Sequence, residues 1–110
     1  MIWIDACGVE DISPEDLISI NYEGQILAIY HGPDGKFYCT SGLCTHESVN
    51  LADGLVMGFV IECPRHNGQF DYRTGQALRT PACDQLKTYA IKLERGRVLI
   101  NLVGGDTALK

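Results

Sequence analysis

The sequence contains no apolar run approaching the ~18 residues that a membrane-spanning helix requires. Its first residues also lack the basic and then long apolar segments of a secretory signal, so we expect a cytoplasmic protein. Positive charge is scarce, because 9 Lys and Arg accompany 14 Asp and Glu and give a formal net charge of -5. Nucleic acids and anionic membranes would repel such a chain, and neither is expected as a partner.

Cysteine is present in an odd number, which argues against a disulfide framework. The five cysteines are Cys7, Cys39, Cys44, Cys63 and Cys83. In a reducing compartment their thiols stay reduced and are available to bind metal. Cys7, Cys39 and Cys83 have no partner at a metal-ligand spacing, so we expect them to be small buried hydrophobic residues. His31 stands beside a turn signal and is expected to be exposed.

Long helical periodicity is absent, and short apolar segments separated by turn signals predict an all-β fold. The length of 110 residues suits one domain, 1–110, with a flexible tail at 104–110. The predicted strands are 25–30, 36–40, 55–62, 69–72, 88–93 and 98–103. Tyr89, Ile91 and Leu93 are expected to face the core. Residues 13–17 are expected to form one helical turn.

Two short segments carry side chains with metal-binding chemistry. Cys44-Thr45-His46 reads C-x-H, and Cys63-Pro64-Arg65-His66 follows 16 residues later as C-x-x-H. Two thiolates and two imidazoles suit either a structural zinc site or a Rieske [2Fe–2S] cluster. Zinc sites usually pair like ligands, whereas each segment here supplies one ligand of each type. The cluster is therefore favoured, and a zinc-stabilised interaction module is the alternative.

The scarcity of histidine limits what such a chain can do. The sequence has three, and His46 and His66 are assigned to the candidate cluster, which leaves only His31. A non-haem iron oxygenase site needs two histidines and a carboxylate, so this chain cannot build one alone. It also has no G-x-G-x-x-G fingerprint for a nicotinamide or flavin. Electrons must then arrive from one protein and leave to another.

The sequence resembles the Rieske-type [2Fe–2S] ferredoxins of bacterial aromatic-ring-hydroxylating dioxygenase systems. The matching residues are Cys44-Thr45-His46, Cys63-Pro64-Arg65-His66, Gly68, Phe70-Asp71, Thr74-Gly75 and Pro81. The resemblance implies stacked antiparallel sheets with a small cluster-binding subdomain at about residues 41–83. It implies that one [2Fe–2S] cluster is held by four ligands, namely Cys44, His46, Cys63 and His66. Cluster surroundings or partner docking would then involve Glu47, Arg65, Gly68 and Pro81, with Cys83 near the cluster but not a ligand.

The same resemblance implies a one-electron carrier and not an enzyme. The carrier would accept electrons from a flavin-containing, NAD(P)H-dependent reductase and pass them to a terminal oxygenase, as a monomer that forms transient complexes. A small Rieske subunit of a nitrite-reductase-like enzyme is the rival interpretation. Respiratory Rieske proteins, which are also similar, carry extra cysteines where this chain has Val49 and Arg65, and a serine where it has Gln69. Fewer hydroxyl donors to the cluster sulfurs predict a low potential, about -150 mV.

Overall fold

The computed structural model describes residues 3–45, 49–65, 67–79 and 84–102. These residues contain two antiparallel sheets and no α-helix, and none of their segments forms a helix able to cross a membrane. The strands are β1 Trp3–Gly8, β2 Asp16–Tyr22, β3 Gln25–His31, β4 Phe37–Ser41, β5 Leu55–Met57, β6 Val60–Glu62, β7 Gln69–Asp71, β8 Gln76–Arg79, β9 Thr88–Glu94 and β10 Arg97–Asn101. Short 3-10 turns occupy Val9–Asp11 and Leu51–Asp53. The all-β prediction is confirmed.

The larger sheet has the strand order β1-β10-β9-β4-β3-β2, and the smaller sheet has the order β5-β6-β7-β8. Two hairpins in the larger sheet close through the same kind of turn. Glu23 and Gly24 have φ of 52° and 88°, and Arg95 and Gly96 have φ of 53° and 76°. Two central residues with positive φ define the type I′ turn, whose twist matches that of the paired strands. The predicted turn between β9 and β10 is therefore confirmed.

Strand β3 divides the interior into two cores. Ala28 and Tyr30 face the first core, Leu27 and Ile29 face the second, and all four are fully buried. Burial on both faces explains why this strand is a continuous apolar run in the sequence. The first core comprises Ala28, Tyr30, Cys44, Leu51, Ile61, Cys63, Phe70, Tyr72 and Leu86. Its members come from both sheets, so it fixes the smaller sheet against the larger one.

Two strand predictions are wrong in detail. The segment 55–62 is not one strand but the hairpin β5–β6, in which Gly58 turns the chain with φ 59°. Leu93 does not face a core: half of its surface is exposed, and Ile91 is only half-buried, whereas Tyr89 is buried as expected. Leu93 is paired with Val98 near the turn end of the hairpin.

Two local predictions near the start of the chain are also wrong. Residues 13–17 form no helical turn, because β2 begins at Asp16 and the Glu15 N–H donates to the His31 carbonyl at 2.7 Å. His31 is half-buried and not exposed. Its Nδ1 lies 2.8 Å from the Ile12 carbonyl oxygen, and its ring stacks on Phe37 with centroids 4.3 Å apart. Pairing with distant residues therefore overrides the local turn signals.

Asn50 caps the 3-10 turn Leu51–Asp53, and its replacement is expected to destabilise the protein. Its Oδ1 accepts from the Ala52 N–H at 2.9 Å, and its Nδ2 donates to Ser19 Oγ at 3.3 Å. We expect Asn50→Ala to lower the free energy of unfolding by about 1 kcal/mol, measured by chemical denaturation. Asn50→Asp retains the acceptor for Ala52 and should lose less. Equal losses in the two variants would contradict the capping role.

Candidate metal centre

Cys44 is the first residue of a short loop, residues 44–49, here called loop 1. The two arms of this loop meet where Leu43 pairs with Asn50 in an isolated antiparallel bridge. The Cys44 N–H donates to the Val49 carbonyl at 2.9 Å. The backbone therefore closes a six-residue loop whose first residue is a cysteine and whose third, by sequence, is His46.

Loop 2, residues 63–68, joins β6 to β7 and is closed in the same way. The Cys63 N–H donates to the Gly68 carbonyl at 2.7 Å. Asn67 has φ 61°, in the left-handed region that asparagine tolerates better than most residues. Asn67-Gly68 is a turn signal visible in the sequence, and it explains how the chain reverses here. Gly68, expected near the cluster, acts by closing the loop.

The two loops bring both candidate thiols into the first core. Cys44 is 5% exposed and Cys63 is 1% exposed. Gly54 shows how closely the return from loop 1 approaches loop 2, since a Cβ added there would lie 2.1 Å from the Glu62 carbonyl oxygen. Only glycine permits this approach, immediately before Cys63. None of the four cysteines in the described residues is in a disulfide.

A third segment, at residues 84–86, is held against loop 1. Thr45 Oγ1 donates to the Asp84 carbonyl at 2.9 Å, and the Leu86 N–H donates to the Gly75 carbonyl at 2.8 Å. The Leu86 side chain is fully buried in the first core. These contacts were not predicted. Leu86 stands alone among polar residues, so no apolar pattern marks it as buried. A threonine hydroxyl gives no sequence signal for a partner 39 residues away.

Cys7 and Cys39 occupy the second core and differ from the loop cysteines. Both are buried, and burial raises the pKa of each thiol above its ordinary value. The prediction that both serve as buried hydrophobic residues is confirmed.

Some of the other predicted site residues lie within the part of the chain that the structure describes, and others do not. Arg65 is exposed on loop 2. The predicted ligands His46 and His66 lie outside the described residues, as do Glu47, Pro81 and Cys83 and the tail 104–110. The structure therefore brings together the two thiol members of the predicted ligand set.

The described residues fit a Rieske cluster. Two buried thiols stand at the heads of loops with equivalent closure, and neither is in a disulfide. The backbone hydrogen bonds fix each cysteine without requiring any group to be bound. Thiolates supplied from two loops, each followed by a histidine in the sequence, are the donor types that such a cluster takes.

Comparison with known proteins gives a consistent result. Residues 2–90 match the model of the Rieske [2Fe–2S] domain. Over 100 residues the chain is 44% identical to the ferredoxin component of the naphthalene 1,2-dioxygenase system of Pseudomonas putida, which covers 91% of this chain and 95% of that protein.

Two solved structures share the fold over nearly the whole chain. The ferredoxin of Sphingomonas yanoikuyae B1 has a TM-score of 0.86 and 36% identity, covering 91% of this chain and 98% of that one. A chain in the complex of reduced oxygenase and oxidized ferredoxin in carbazole 1,9a-dioxygenase has a TM-score of 0.85 and 34% identity, covering 90% and 92%. The chain therefore belongs to the Rieske [2Fe–2S] family, among the ferredoxins that serve as electron carriers, not enzymes, in bacterial dioxygenase systems.

Proposed function

We propose that this chain carries single electrons to the terminal oxygenase of an aromatic-ring dioxygenase system. The observation that carries the proposal is the pair of buried thiols, Cys44 and Cys63, at the heads of two equivalent loops. They stand in a chain 44% identical to a dioxygenase ferredoxin component. A neighbour of the same fold occurs in a complex with the oxygenase of a carbazole dioxygenase, which supports a terminal oxygenase as the electron acceptor.

In this proposal the [2Fe–2S] cluster is held by Cys44, His46, Cys63 and His66. When bound, the cluster supplies a one-electron redox couple. The protein contributes burial of the two thiols, which excludes water from their sulfur atoms, and the backbone bonds that fix their positions. We place Glu47 and Pro81 around the same group as part of this proposal.

Docking is proposed at the end of the molecule that carries the loops. Asp53 and Glu62 line a recess of about 280 Å³ beside Cys63, and Arg65 is exposed nearby on loop 2. Carboxylates at this position suit a basic patch on a partner, where charge complementarity mainly raises the association rate and makes it salt-dependent. Weak and short-lived complexes are suited to a carrier that must leave one partner to reach the next.

The electron donor in this scheme is a flavin-containing, NAD(P)H-dependent reductase. We propose that the chain works as a cytoplasmic monomer and a single domain, with residues 41–83 as its cluster-binding part. The smaller sheet lies within that range. The negative net charge of -5 supports protein partners over nucleic acid.

A redox titration of the purified chain tests the proposal. Optical and EPR spectra should show a Rieske cluster, and the midpoint potential should lie near the low end of the Rieske range, about -150 mV. In stopped-flow experiments the reduced chain should be reoxidised by the oxygenase at a rate that falls as salt rises. A colourless, zinc-containing protein would contradict the carrier, and a clearly positive potential would contradict the predicted low potential. Purification in a stable complex with a catalytic subunit would identify a fixed subunit instead.

A further inference from the structure

Three of the five tyrosines form one continuous group of rings, here called the tyrosine triad: Tyr30, Tyr38 and Tyr72. Tyr30 and Tyr72 stack with centroids 4.3 Å apart and planes 4° apart, and Tyr72 contacts Tyr38 at 5.6 Å. Tyr30 and Tyr38 are also cross-strand partners in β3 and β4. Tyr30 and Tyr72 belong to the same core as Cys44 and Cys63. The triad therefore runs from the layer that holds the thiols toward the surface.

The two buried hydroxyls of the triad have weak proton acceptors. Tyr30 Oη lies 2.9 Å from Thr40 Oγ1, inside the core. Tyr72 Oη donates to the Gly58 carbonyl at 2.6 Å. Burial raises the pKa of both phenols, that of Tyr72 to about 12. Neither a hydroxyl nor a carbonyl readily takes a proton from a phenol, so these two rings are poor places for a phenoxyl radical to settle.

The third hydroxyl of the triad, that of Tyr38, is hydrogen-bonded to a carboxylate. Tyr38 Oη donates to Asp34 Oδ2 at 2.6 Å, a short charge-assisted hydrogen bond at the solvent-exposed turn between β3 and β4. That bond lowers the pKa of Asp34, and burial together with the same bond raises the pKa of Tyr38 to about 12. The carboxylate is therefore ionised and already hydrogen-bonded to the phenol whose proton it would receive. Of the triad's three hydroxyls, only this one combines a base with access to solvent.

We propose that the tyrosine triad is an oxidation relay that conducts oxidising equivalents from the first core to Tyr38, where Asp34 accepts the phenolic proton. An oxygen-centred radical takes one electron from Tyr30 or Tyr72 and is reduced to its anion, which leaves that phenol as a radical cation that keeps its proton. Tyr38 refills that ring with an electron, its O–H bond breaks, and the proton forms an O–H bond on Asp34. A soluble one-electron donor of the thiol or ascorbate class then returns an electron to Tyr38, and the proton moves back. The relay is independent of the proposed electron-carrier function.

The relay requires oxidisable rings and a proton acceptor, whereas packing requires only the ring contacts. Phenylalanine at position 38 or 72 would retain the ring contacts, and asparagine at position 34 would retain an acceptor for Tyr38. A structural triad would therefore tolerate these changes in its ring geometry. A relay would not, because phenylalanine interrupts radical transfer and a neutral amide does not take up the proton.

The test uses the full cluster-loaded chain with 3-aminotyrosine in place of Tyr30, as a buried trap for oxidising equivalents. Photogenerated ruthenium(III) tris(bipyridine) serves as an external oxidant too large to enter the core. In this test the oxidising equivalent moves from the surface to the trap at position 30, opposite to the proposed direction. Because electron exchange between rings is reversible, its arrival at the trap probes the same ring contacts. EPR and transient absorption measure the yield and rate of aminotyrosyl radical formation.

We expect the trap radical to form readily. Tyr72→Phe, which removes an oxidisable ring, and Asp34→Asn, which removes the proton acceptor, should each slow its formation about tenfold; for Asp34→Asn this is the factor that corresponds to loss of one charge-assisted hydrogen bond. The matched controls are Tyr22→Phe, at a partly buried tyrosine packed against the second core, and Asp16→Asn, at an exposed aspartate; neither should change the rate. Equal rates in all four variants would overturn the relay. Should the trap-bearing chain not fold, Asp34→Asn in the otherwise native chain must slow formation of the Tyr38 radical, and an unchanged rate would refute the proposal.

Discussion

Replacing Cys44 or Cys63 with alanine should abolish the visible absorption and the EPR signal of the protein and remove its bound iron. Each thiol stands at the head of a loop closed by its own backbone N–H, so the substitution leaves the loop closure intact and deletes the donor alone. In the proposed ligand set, the remaining thiolate and the two histidines cannot replace the missing bond to iron. Iron per chain and absorbance of freshly purified protein provide the measurement.

Cys39→Ala is the matched control for both substitutions. Cys39 is as deeply buried as the loop cysteines but lies in the second core. Its loss should lower the free energy of unfolding by about 1 kcal/mol through packing, while the iron content stays at the wild-type level. Equal iron loss in Cys39→Ala and Cys63→Ala would show that the loops do not define the ligands.

Gly54→Ala should be strongly destabilising although it removes no proposed ligand. A Cβ at this position would lie 2.1 Å from the Glu62 carbonyl oxygen and 3.1 Å from that of Leu51, and both contacts are with backbone. To remove this overlap, the end of β6 would have to move away from residue 54, and this end immediately precedes Cys63. We expect a loss of about 3 kcal/mol or more in the free energy of unfolding and weaker retention of iron, followed by calorimetry and by iron release to a chelator.

Gly8→Ala provides the comparison, because Gly8 and Gly54 share ordinary negative φ values of -84° and -93°. The nearest atom to a Cβ at Gly8 is 3.2 Å away, at the end of the flexible Arg97 side chain, which can move. The free energy of unfolding should therefore change by less than about 1 kcal/mol. A similar loss at both glycines would mean that backbone entropy, and not the contact with Glu62, determines the effect.

Sequence reasoning identified the features whose cause is local. The alternation of Cys and His within three or four residues marks both loops, and Glu94-Arg95-Gly96-Arg97 marks the hairpin of β9 and β10. The closure of loop 2 was equally accessible, because Asn67-Gly68 is a turn signal. In each of these cases the chemistry that creates the structure lies within a few consecutive residues.

Several features that escaped prediction depend on contacts between distant segments, whereas β2 and β8 were missed although each pairs with a strand adjacent in sequence. Strand β1 was not predicted, because its partner is β10, almost the whole chain away. The close approach of Gly54 to Glu62 and the bond from Thr45 to Asp84 likewise arise only when separate segments meet. The hairpin β5–β6 was read as one strand because apolar residues on both sides of Gly58 masked the turn.

The pairing of β1 with β10 sets Trp3 opposite Asn101 and has a consequence for the order of events during synthesis. The smaller sheet is built from strands adjacent in sequence, so its hairpins can close early and with little loop entropy. Among the strands of the described residues, β1 leaves the ribosome before the others, yet its partner β10 is the last of them to emerge. Strand β1 is therefore paired late although it is synthesised early, and the larger sheet is completed only after the segments that carry Cys44 and Cys63 are available to fold.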